Sequence, residues 1–153
     1  MFEFVGHILD DLHPICNHFP IALLSISFVL AAIKRKWQAL APTEWLLFAW
    51  GAVMTLPTAI TGLISHEAYE ELPIHSTIES HGLPANIGTL VMLAMVTWRW
   101  RSRRVDVAND VGNRNWYLAF ALIGLLWSFY VGGAGGSLTY DYGINVRGVN
   151  PLK

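Results

Sequence analysis

Four apolar runs, at residues 18–33, 45–65, 83–98 and 116–133, fix what this chain can become. A hydrocarbon core ~30 Å thick takes about 20 helical residues to cross, fewer where partly polar ends reach the interface. Each run meets that length once its flanks are included. Backbone in lipid must satisfy its own N–H and C=O groups, so the runs are helices rather than strands. Composition agrees: 54% of the 153 residues are hydrophobic and only 14% are charged. The helices are expected at about 14–34, 44–65, 78–99 and 115–134. Their short connections favour an all-α, integral-membrane, antiparallel four-helix bundle, a single domain over residues 1–153.

The charges orient that bundle. Lys34, Arg35 and Lys36 follow the first run, and Arg99, Arg101, Arg103, Arg104 and Arg114 separate the third from the fourth. These eight of the ten basic residues fall in two short loops on one face, which the positive-inside rule places in the cytoplasm. The opposite face is acidic, with Glu3, Asp10, Asp11, Glu67, Glu70, Glu71, Glu79 and Asp141. Both termini are therefore expected outside the cytoplasmic membrane. Trp37, Trp45, Trp98, Trp100 and Trp116 form an inner aromatic belt, and Tyr69, Tyr140 and Tyr142 an outer one. The net charge of −1 conceals this dipolar layout, and no nucleic-acid partner is expected. The N-terminus lacks the basic region of a cleavable signal, so the first helix is expected to be retained. Cys16 is the one cysteine, which rules out an intrachain disulfide, and no C-x-x-C-H is present for covalent haem attachment.

All six histidines (His7, His13, His18, His66, His75 and His81) fall on the acidic, outer side. His18 lies 16 residues before Lys34, and His81 lies 18 residues before Arg99. At ~1.5 Å per residue these are depths of roughly 24 and 27 Å, on two helices that run in the same direction. Level histidines on parallel helices are what a bis-histidine haem b requires. Ala22 and Ser25 below His18, and Ala85 and Gly88 below His81, share a face with their histidine and could leave a slot for a flat macrocycle. They could equally serve close helix packing. His13 and His75 are also level, further out; they could ligate a second haem or a metal, or simply be solvated at the interface. His66 with Glu70, and His75 with Glu79, would form i,i+4 pairs on a helix, and His66 is a further candidate metal ligand. Arg147, one of two outer cations, could pair with haem propionates through its bidentate fork.

The run His13-Pro14-Ile15-Cys16-Asn17-His18-Phe19-Pro20-Ile21-Ala22-Leu23 resembles the opening of a bacterial family of predicted four-helix membrane proteins, known only as a domain of unknown function. Its members begin His-Pro, three residues, then His-Phe-Pro-Ile-Ala-Leu. The likeness continues at Thr61-Gly62 with Glu67, Glu70 and Glu71, and at Ile78-Glu79 with His81. It ends at Gly135-Gly136-Ser137-Leu138-Thr139-Tyr140 with Gly143. Asn17 departs from the apolar residue usual before the second histidine. The resemblance implies His13, His18 and His81 as motif histidines, whereas His66 and His75 are more particular to this chain. Some relatives carry fused c-type cytochrome or Rieske-type domains, which leans towards redox work.

The expectation that follows is a b-type cytochrome of the bacterial inner membrane, an electron-transfer subunit rather than a catalytic one. Its cofactor would be haem b near the outer leaflet, with His18 and His81 as axial ligands. Its partners would be the bilayer, other subunits of a membrane complex, and a c-type cytochrome or quinone. A non-haem metal site built from His66, His75, His81 and Glu67 or Glu70 is the alternative, as is a structural or assembly subunit.

Overall fold

A computed structural model describes residues 12–67, 69–146 and 148–149. The described chain is helical, with four long α-helices: α1 (Leu12–Ile33), α2 (Ala41–Glu67), α3 (His75–Val105) and α4 (Trp116–Tyr140). Each expected helix is present, and α2 and α3 extend beyond their expected bounds at both ends. Pro14 sits in the first turn of α1, where its missing N–H has no helical partner to lose. Pro20 and Pro57 lie inside α1 and α2 and are accommodated there, each removing one i→i−4 hydrogen bond. Glu44 in the first turn of α2 and Arg103 and Arg104 in the last turn of α3 complement the helix dipoles. Between α3 and α4, two short 3-10 turns are held by Asp106 and Asp110, whose carboxylates accept from the Ala108 and Gly112 N–H groups.

The helices form a ring in which α1 packs on α2 and α4, and α3 packs on the same two neighbours. The main core is aromatic and tight: Leu24, Phe28, Phe48, Met92, Tyr117 and Ala121 are buried together. A smaller cluster of Tyr69, Ile78, Leu138 and Ile144 closes the other end. Leu56, Leu90, Ile123, Leu126 and Phe129 are exposed, the inversion expected of a helix surface that meets lipid. Three helical stretches, Leu12–Ile33, Gln38–Glu67 and Trp116–Tyr140, are long and apolar enough to cross a membrane. Helix α3 has an apolar middle, but it carries His75, Glu79, His81 and Asn86 towards one end and four arginines at the other.

The end of the bundle where α1 and α3 finish and α2 and α4 begin is locked by a buried ion network. Arg99 uses all five of its N–H donors. Its Nε donates to Asp110 Oδ1 (2.9 Å), its Nη1 to Glu44 Oε1 and the Tyr117 hydroxyl (both 2.7 Å), and its Nη2 to Glu44 Oε2 and Asp110 Oδ2 (both 2.9 Å). Lys34 adds a 2.8 Å bond to Glu44, and Arg103 a 2.6 Å bond to Asp110. Trp45, Phe48 and Tyr117 present their ring faces to the Arg99 guanidinium at 4.7–5.1 Å. Arg99, expected in the loop between the third and fourth helices, lies within α3, and both it and Lys34 are buried. Burial pushes the Asp110 carboxyl up, but the hydrogen bonds and charge of Arg99, with the Gly112 N–H and Arg103, outweigh it and hold it below its ordinary value.

Candidate functional site: a histidine-lined cavity

The opposite end of the bundle is open inside. A cavity of about 490 Å³, within the range of small-molecule sites, lies between the helices and is lined by residues from all four. Four histidines reach it: His13 and His18 from α1, His66 from the end of α2, and His81 from α3. Tyr69, Ile144 and Asn145, from the segments beyond α2 and α4, line it as well.

Each histidine is held differently. His13 Nδ1 bonds to the Thr58 carbonyl across on α2 (3.1 Å), with Thr61 Oγ1 at 3.3 Å. A carbonyl only accepts, so Nδ1 carries the proton and Nε2 is left with its lone pair. The ring lies flat against α2 because residue 62 is glycine: a Cβ there would come within 2.9 Å of His13 Cε1. The same tautomer argument applies to His18, whose Nδ1 bonds to the Pro14 carbonyl of its own helix. His18, however, is exposed, although it too lines the cavity. His81 faces α4 at a second glycine, where a Cβ on Gly135 would lie 3.2 Å from His81 Cε1. Its Nδ1 is buried and has no hydrogen-bond partner among the described residues, and neither has His66 Nε2.

The small residues expected beneath the histidines divide. Ala22 and Ala85 do line the cavity. Gly88 does not open a slot, since the Trp127 indole occupies that space; a Cβ on Gly88 would sit 2.1 Å from Trp127 Cζ2. The indole N–H donates to the Pro84 carbonyl at 3.1 Å, which fixes the ring as the floor of the cavity. Ser25 is not among the lining residues.

His75 is outside the cavity wall and stacks on His66, with ring centroids 5.0 Å apart and planes inclined by 20°. The link between α2 and α3 is shorter than expected and holds turns rather than a helix among its described residues, so Glu70 is not on a helix with His66. No three histidine, cysteine or carboxylate groups converge as a metal site among the described residues, so the His66, His75, His81 and Glu67 or Glu70 set is not assembled. Arg147 and His7 lie outside the described residues.

The buried ion network at the other end was not foreseen as a unit. The signal was present: Glu44 and Asp110 are acids on a face otherwise dominated by basic residues.

The family described as "Predicted membrane protein (DUF2231)" matches residues 9–148. No curated protein and no solved structure matches the chain.

Proposed function

The chain belongs to this family of predicted membrane proteins, and we propose that it acts in the bilayer as a b-type cytochrome, holding haem b in the histidine-lined cavity. One observation carries the reading. Histidines of α1, α2 and α3 flank a cavity of small-molecule size and offer ring nitrogens with no partner among the described residues: the buried His81 Nδ1 and His66 Nε2, and a lone pair at Nε2 of each α1 histidine. Unpaired buried polar atoms are costly and rare. A haem held there would draw iron ligands from these histidines, with one imidazole from α1 and one from α3.

The residues fit such a group in kind. The bonds from Nδ1 to backbone carbonyls orient the α1 imidazoles in the way that supports a metal-ligating histidine. Trp127 and the apolar wall shield the site, and His81 with an α1 histidine would bind the iron. Haem supplies one-electron redox chemistry when bound; the chain contributes ligand identity, burial and orientation.

The same reading makes all four helices spans, with α3 crossing through its apolar middle, and sets them alternately up and down. The basic loops then lie in the bacterial cytoplasm, and both termini and the cavity lie towards the outer face of the inner membrane. Electrons would pass between a membrane donor such as quinol and an extracytoplasmic acceptor such as a c-type cytochrome, within a larger complex. The test is cofactor content: protein purified in mild detergent should carry haem b at near one per chain by the pyridine haemochrome assay. Haem-free protein with stoichiometric zinc or copper would overturn the reading in favour of a non-haem metal site.

A further inference from the structure

The histidine that faces His81 across the cavity is a separate question from whether haem binds, and its answer rests on that reading. By counting along the helices, His18 is the residue level with His81. The side chains tell another story. We propose that the axial pair is His13 with His81, and that His18 stands beside the ligand rather than on the iron.

Three observations separate the two α1 histidines. His13 is anchored across the helix interface: its Nδ1 reaches the Thr58 carbonyl on α2, so the ring is fixed relative to the bundle. His18 is anchored only to Pro14, within its own helix. A ligand that must keep one orientation through changes of iron charge is better held by a second helix than by its own. Secondly, His18 is exposed, whereas His13 is partly buried. Burial of the ligand and iron is one of the levers that sets a haem potential.

Thirdly, His13 and His81 each lie against a glycine of a neighbouring helix, Gly62 on α2 and Gly135 on α4. Any side chain at residue 62 would press on the His13 ring, and one at residue 135 would crowd His81. The two imidazoles therefore lie against opposite walls, α2 and α4, and both line the cavity between them. The backing glycines are not spacers for helix contact alone, because the atoms they admit belong to imidazole rings.

Single alanine variants of His13, His18 and His81 decide the matter, read by the low-spin haem signal in electron paramagnetic resonance and by haem per chain. The proposal expects His18→Ala to keep the low-spin signal and its haem. His13→Ala and His81→Ala should each lose the low-spin signal, and added imidazole should restore it in both. That rescue distinguishes a lost ligand from a damaged fold. Gly62→Ala, which leaves every histidine in place, should shift the g-values by pressing on the His13 ring. Loss of the signal in His18→Ala with retention in His13→Ala would overturn the pairing while leaving the cytochrome reading intact. Wild-type protein without haem would overturn both.

Discussion

Glu44 shows how much one residue holds at the ion-paired end. Its two oxygens take bonds from Lys34 and from both Arg99 terminal nitrogens, with no exposure to solvent. Removing one partner of a buried pair leaves an uncompensated charge and typically costs about 3–5 kcal/mol. Glu44→Ala should therefore destabilise the protein by about that much, seen as a clear fall in the thermal unfolding midpoint in detergent. An unchanged midpoint would show that the network contributes little. Asp110 adds a pH signature. Its folded-state value is depressed, so its contribution is present above the unfolded value of about 3.9 and is lost as pH falls through the lower folded value. Melting curves from pH 7 down to pH 3 should show stability falling at the acid end, and Asp110→Asn should flatten that fall. At this scale the sequence was legible for which α1 and α3 histidines line the cavity and illegible for how each ring is held. Spacing fixes the height of a residue, but the rotation of a ring towards Thr58 or Pro14 depends on neighbours from other helices.

At the scale of the element, α3 is the informative helix. Its hydropathy is diluted by His75, Glu79, His81 and Asn86 before the apolar middle and by arginines after it. Those residues make sense once their partners are known: Arg99 is neutralised by Glu44 and Asp110, while His81 turns into the cavity. Polar groups within a membrane helix are expected to face the bundle interior. Gly88 lets the Trp127 indole of α4 seat directly against α3. Gly88→Ala should cost about 1–3 kcal/mol by overpacking and alter the tryptophan emission, because the indole must leave the Pro84 carbonyl. Emission and stability matching wild type would mean the indole is not seated there. The existence of the four helices was readable from the length and apolar composition of the four runs. Both readings of the small residues under His81 hold in part, since Ala85 lines the cavity and Gly88 seats Trp127; a small residue on one helix says nothing of the large one opposite.

The whole molecule has two unlike ends. One is a network of buried charge that ties four helix ends together; the other is a cavity with ring nitrogens that have no partner among the described residues. The proposed orientation has a direct check. In a Cys16→Ser background, a membrane-impermeant maleimide applied to spheroplasts should label Glu71→Cys and leave Asn109→Cys unlabelled. The reverse pattern would place the basic loops outside.

The central claim concerns what fills the cavity. The measurement closest to it is the reduced-minus-oxidised absorption spectrum of purified protein, wild type beside the His13→Ala/His18→Ala/His81→Ala triple variant. The account predicts sharp Soret and α bands of a six-coordinate haem b in the wild type and none in the variant. A colourless wild-type protein, or bands that survive in the triple variant, would contradict it.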